Sequence, residues 1–200
     1  MKKFELTTEF ITNFLGTKLF RIKALVEFGK VEKGELGGFV EKEENLDHDG
    51  DAWVSGDAMV YGNARVSGNA EVYGDAEVYG NARVYGDAMV YGNARVSGNA
   101  RVYGNAWVSG NARVSGDAWV SGDQMYAAVK GFGSEYRNTT FFITKDGNVC
   151  VNCGCFSGTL EQFREKVEET HKDTKYAKEY LMIADLMEMH FKEELEKIKK

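Results

Sequence analysis

The chain of 200 residues contains no proline, three histidines and three cysteines. It has no run of about 18 apolar residues, so no membrane span is expected. The lysines of the opening MKKFELTTEF have no apolar stretch behind them, so no export signal is expected either. No segment concentrates one sign of charge: 25 basic and 31 acidic residues, net −6, are spread along the whole length. Sequence-independent nucleic-acid binding requires a positive footprint and is not expected. Cys150, Cys153 and Cys155 are an odd, clustered set, which does not make a disulfide framework; reduced thiols in a cytoplasm are the simplest reading. Zinc needs four converging ligands. On an extended strand Cys153 and Cys155 share a face and Cys150 points away, so buried thiols opposite Phe141–Ile143 are expected, with no metal and no cofactor.

Glycine, by contrast, is abundant. Of 23 glycines, twelve recur every six residues from Gly56 to Gly122. From Asp51 to Gly122 the chain is twelve uninterrupted hexads of the form Asn/Asp, Ala, any, Val, Tyr/Ser, Gly. Side chains of an extended segment alternate faces, so Ala and Val, two apart, point together. The variable residue and the Tyr/Ser point the other way. Gly followed by Asn/Asp supplies a corner, because these residues tolerate the left-handed backbone region at least cost. Three sides close a triangular coil of 18 residues, and twelve hexads make about four coils, spaced about 4.8 Å apart. The pattern resembles the hexapeptide repeats of left-handed parallel β-helices, with a right-handed solenoid as the alternative.

The flanks read differently. FELTTEFITNF and TKLFRIKAL are strand-like, and NLDHDG (45–50) is a decayed hexad with Leu46 in the Ala slot and His48 in the Val slot. Residues 1–50 are expected to form a β cap over an otherwise unpaired solenoid edge. Residues 123–200 read as an α+β unit. Strands at Ala127–Lys130, Thr139–Thr144 and Asn148–Phe156 lead to a helix opened by a Thr159/Gln162 capping box, with Leu160, Phe163 and Val167 inward. A second helix from about Asp173 carries the apolar stripe Tyr176, Tyr180, Ile183, Met187, Phe191, Leu195 and Ile198. The whole is mainly β.

The outward positions sort into three faces. The first carries Trp53, Glu71, Met89 and Trp107; the apolar Trp53, Met89 and Trp107 suit a protein interface. The second carries Met59, Glu77, Arg95 and Arg113. The third carries Arg65, Arg83, Arg101 and Trp119. There three arginines stack without an intervening acid, beside Tyr85 and Tyr103. Guanidinium forks next to aromatic rings suit a phosphate- or carboxylate-bearing partner; the plainer alternative is that each arginine stacks on a neighbouring tyrosine. Ser134, Arg137 and the helix start at Thr159 form a second candidate anion site. Association into homo-oligomers, trimers favoured, is expected through the first face and the end of the last helix.

Many hexapeptide-repeat proteins are acyltransferases, which the resemblance implies would use a histidine base beside loops that interrupt the coils. The twelve hexads contain neither, and His48, in a core-type slot, is expected to be a structural cap residue. Ranks of outward threonine, needed for ice binding, are also missing. Together with Leu36-Gly37-Gly38-Phe39-Val40-Glu41 and the ending Gly-Cys-Phe-Ser-Gly-Thr-Leu-Glu-Gln-Phe, the hexads resemble hexapeptide-repeat proteins encoded by phages and prophages of gut bacteria. That resemblance implies a non-catalytic protein inside the infected cell. It would inhibit a host defence component by binding a host protein or a small, nucleotide-like anion. The alternatives are a structural or assembly module of a virion or scaffold, and an acyltransferase.

Overall fold

Each hexad becomes a two-residue strand and a turn, as its alternation requires. The computed structural model describes residues 2–198. Strands β1 (Phe4–Thr12), β2 (Lys18–Ala24) and β3 (Leu36–Val40) precede the repeat. β4 (Trp53–Val54), β5 (Met59–Val60) and β6 (Arg65–Val66) form the first regular coil, and β7 to β15 follow every six residues, from Glu71–Val72 to Trp119–Val120. The strands stack in parallel and in register: Trp53, Glu71, Met89 and Trp107 form one column. Met59, Glu77, Arg95 and Arg113 form the second, and Arg65, Arg83, Arg101 and Trp119 the third. Every alanine and valine of the twelve hexads is at most 1% exposed. Large valine alternates with small alanine in the narrow interior, and each fully buried valine contributes roughly 1.5–3 kcal/mol relative to solvent.

The solenoid has about five turns, because an irregular turn precedes the regular ones. β3 pairs in parallel with β5 and extends the second column, and Leu46 bridges Val66 below the third. This corrects the slot assignment for NLDHDG. Asp47 N–H donates to the Val66 carbonyl as the residue after a core valine does, so Leu46, 1% exposed, occupies the valine slot. Three residues then separate it from Gly50, where the regular hexad has one between valine and glycine. The surplus bulges outward and takes His48 out of the core, stacked on Phe4 at 4.4 Å between centroids.

The two solenoid edges are opposite in hydrogen-bonding character. Along the stack, N–H groups of the variable, Tyr/Ser and Asn/Asp residues donate to the Ala, Val and Gly carbonyls of the next turn. The first edge therefore presents carbonyls and the last edge N–H groups, and buried groups of either kind need partners. The first edge is met by donors. Lys3 Nζ donates to Gly50 and Ala52 carbonyls (3.1 and 2.9 Å), and Asn45 Nδ2 to those of Gly62 and Ala64 (3.2 and 2.8 Å). The last edge is met by acceptors: Asp123 Oδ1 takes Trp107 N–H (2.8 Å) and Thr140 Oγ1 takes Arg113 N–H (2.9 Å).

The N-terminal hairpin β1–β2 joins β3 in antiparallel fashion and continues the second sheet. With β3 and the β2–β3 connection it covers parts of the solenoid that the repeat alone places outside. Trp53 is 5% exposed, edge-on to Phe28 at 5.4 Å. Tyr61 is 4% exposed, packed with Leu19 and Phe39. Beneath it Glu77 is buried, accepting from Tyr61 Oη (3.1 Å) and paired with Arg95 (2.8 Å). The interface expected at Trp53, Met89 and Trp107 thus loses Trp53. Trp107 is half exposed and Met89 partly so.

Beyond the repeat, β16 (Tyr126–Val129), β17 (Thr139–Ile143), β18 (Val149–Cys153) and β19 (Phe156–Thr159) form an antiparallel meander. The expected single strand Asn148–Phe156 is two strands joined at Gly154, which has φ +61°. β17 lies against the last solenoid turn, where Ala118 bridges Thr144. α1 (Leu160–His171) starts at the expected capping box and buries Leu160, Phe163 and Val167. α2 (Lys175–Ile198) buries Tyr180, Ile183, Met187 and Phe191. Phe191 is fully covered within the chain, and Leu195 and Ile198 pack partly against the core, so this stripe is not the free association surface expected of it. Cys150 pairs opposite Phe142 and Cys153 opposite Thr139. Cys155 departs from the expected buried strand position: it sits in the Gly154 turn and is exposed.

Candidate functional site

The third column is built by the repeat itself. The valine of each strand anchors it in the core, so the residue before it must project outward. Arg65, Arg83 and Arg101 therefore stand directly opposite one another on successive turns, all exposed. Like charges so placed repel. Elsewhere arginines are neutralised: Arg21 by Glu9, Arg95 by Glu77, Arg137 by Glu135, and Arg164 by Asp185 and Glu188. Arg113 instead donates to the Gly154 carbonyl. Among the described residues no carboxylate lies within 4.0 Å of Arg65, Arg83 or Arg101.

Two grooves share these arginines. The first, about 540 Å³, is lined by the three arginines, Ser67 and Tyr85, and walled at one end by Glu43, Glu44, Asp47 and His48. The second, about 520 Å³, lies on the corner side, between the arginines and Asn63, Asn81 and Asn99, and ends at Asp117, Trp119 and Lys145. The asparagines form a directed chain. Asn63 Nδ2 donates to Asn81 Oδ1 (3.3 Å), Asn81 to Asn99 (3.1 Å), and Asn99 to Asp117 (3.1 Å). A carboxylate can only accept, so Asp117 terminates the chain; Lys145 pairs with it at 3.8 Å.

Tyrosines stack on tyrosines, not on arginines. Tyr85 and Tyr103 lie 5.1 Å apart at 8°, and Tyr61–Tyr79 and Tyr73–Tyr91 repeat the arrangement. Burial and the neighbouring Tyr103 raise the Tyr85 hydroxyl above its ordinary range, against the opposing pull of Arg101 and Arg83. Of these rings Tyr85 lines the first groove, and the stacking leaves the column guanidiniums free.

His48 was expected in the core and instead lines the first groove. Its Nδ1 accepts the Lys3 backbone N–H (3.2 Å), and its Nε2 faces Glu43 at 3.7 Å. The ring nitrogen with a lone pair is thereby occupied, and the other carries the proton toward a carboxylate.

Of the second candidate site, Arg137 and Thr159 are not brought together. Arg137 lies against Gly154 at the β18–β19 turn, whereas Thr159 pairs with Cys150 at the far end of that hairpin. A capping box takes two donors of this helix start: Thr159 Oγ1 accepts Gln162 N–H (3.3 Å) and Gln162 Oε1 accepts Thr159 N–H (2.9 Å).

Fold and site together describe a β-solenoid with one unneutralised cationic column. A family model described as the YdcK beta solenoid repeat matches residues 52–68, 59–74, 76–92, 82–96, 94–110 and 106–122. These matches span about a third of the chain and coincide with the regular turns. No curated protein matches the chain. No helix among the described residues is long and apolar enough to cross a membrane.

Proposed function

We propose that this is a non-catalytic binding protein whose third solenoid face receives an anionic partner. The carrying observation is the in-register column Arg65, Arg83, Arg101, without a carboxylate partner, between two grooves. Stacked guanidiniums cost electrostatic energy in the free protein, and a ligand with several negative charges removes that cost while gaining charge-assisted hydrogen bonds. Tyr85, Tyr103 and Trp119 add aromatic surface alongside. The occupied lone pair of His48 supports a binding role over acyl transfer, since a general base needs a free nitrogen within reach of its proton. In this reading the solenoid winds left-handed, as its hexapeptide pattern implies. The partner is a host protein or a nucleotide-like anion, in the phage setting implied by the resemblance.

The test is capture from bacterial host lysate by the wild-type chain and by the Arg65→Glu, Arg83→Glu, Arg101→Glu triple variant, followed by mass spectrometry of proteins and small molecules. Each lost charge-assisted contact costs roughly 1.5–3 kcal/mol, so the triple variant is expected to lose the partner altogether. An equal yield from both proteins would refute the assignment. Release of a thiol from acyl-CoA at a rate dependent on His48 would favour the enzyme reading instead.

A further inference from the structure

α2 has two apolar faces, and only one is used within the chain. Tyr180, Ile183, Ala184, Met187 and Phe191 face the core. On the opposite side Met182, Leu186 and Met189 are 71, 49 and 68% exposed. Their i, i+4, i+7 spacing aligns them as one stripe along a helix about 36 Å long. The same face continues to Lys175 and Lys178 at its start and to Glu193 and Glu196 at its end, all exposed. Ion pairs made by α2 within the chain use Asp185, Glu188, Glu194 and Lys197. Lys175, Lys178, Glu193 and Glu196 make none among the described residues.

We infer that this face binds a second copy of the chain through an antiparallel, two-fold symmetric α2–α2 contact. The charge pattern selects that occupant. In an antiparallel pair centred between Asp185 and Leu186, Met182 meets the partner's Met189. Lys178 then meets the partner's Glu193, and Lys175 the partner's Glu196. The two-fold axis generates each of these contacts twice. A parallel pair in register would instead set lysine against lysine and glutamate against glutamate. Met182 and Met189 form the apolar contacts on either side of the axis. Each Leu186 meets the partner's Asp185, which Arg164 of its own chain already neutralises, and the outer charges form the rim. The contact lies on the helix side opposite the core and does not depend on the arginine column.

The test is sedimentation velocity on the full chain over a concentration series, for wild type, Lys178→Glu, and the double variant Lys178→Glu, Glu193→Lys. Wild type is expected to sediment as a dimer that weakens with added salt. Lys178→Glu places two glutamates opposite each other at both ends, and the dissociation constant should rise about tenfold. The double variant restores opposite charges and should restore the dimer, while circular dichroism stays the same in all three. A monomeric wild type at about 100 µM overturns the inference. So does an oligomer indifferent to Lys178→Glu, or a double variant no tighter than the single.

Discussion

Replacing a corner glycine by alanine isolates how tightly the turns are stacked. Gly86 and Gly116 occupy the same place in the hexad and share a left-handed backbone, at φ +73° and +65°. They differ in what lies beyond them. A Cβ on Gly86 would sit 3.0 Å from the Gly104 nitrogen and 3.3 Å from its carbonyl oxygen; a Cβ on Gly116 meets nothing within 4 Å. Both alanines incur the left-handed cost of about 1–2 kcal/mol, partly offset by about 0.4–1 kcal/mol from a less flexible unfolded chain. Gly116→Ala should therefore lose about 0.5–1.5 kcal/mol. Gly86→Ala must also push apart two backbones already joined by Asp87 N–H to the Gly104 carbonyl at 2.9 Å and Tyr85 N–H to the Val102 carbonyl at 3.0 Å. Overpacking of this kind adds about 1–3 kcal/mol, equivalent to roughly 2–12 °C in melting temperature for a chain of this size. Urea denaturation followed by circular dichroism reads the difference. Equal losses at the two sites, or a harmless Gly86→Ala, would refute the stacking argument.

Three further outcomes follow from the same structure. Phe191→Ala should cost about 3–5 kcal/mol, because the ring is fully buried, whereas Met182→Ala should leave melting of the diluted chain within about 0.5 kcal/mol; reversal of that order in thermal scans would mean the helix faces are wrongly assigned. Tyr61 is raised above the usual tyrosine range by burial and by Glu77. Its contribution to stability is complete below pH 10 and is lost as pH rises through the folded value. Urea midpoints between pH 8 and 11 should therefore fall less steeply for Tyr61→Phe. Of the three thiols, exposed Cys155 should alkylate first and Cys150, whose thiol is pushed up by burial, slowly; peptide mapping after a short iodoacetamide pulse would show the reverse if the Gly154 turn were misplaced.

The periodic part of this fold is legible because one rule, repeated twelve times, sets both the interior and the three outward columns. The arginine column needed only the 18-residue spacing. What the repeat could not show is what covers it. Trp53, Tyr61 and Glu77 read as outward, and they are outward from the coil, but the aperiodic hairpin β1–β2 and its neighbours close over them. The slot of Leu46 was missed because the six-residue frame was carried one hexad too far. The available signal was that leucine fits a valine slot and histidine does not. His48 consequently moved from the core to the groove wall. The Thr159 site failed because Arg137 sits at the turn of the β18–β19 hairpin and Thr159 at its other end, a placement set by strand pairing that local motifs do not show.

The claim that Arg65, Arg83 and Arg101 receive anionic groups is tested most directly by following arginine Nε–Hε resonances during titration with inorganic pyrophosphate. The three column arginines should shift together with one dissociation constant and a strong dependence on salt. Arg21, Arg95 and Arg164, already held by carboxylates, should stay in place. A uniform drift of all arginine signals, or movement of the paired ones alone, would contradict the account.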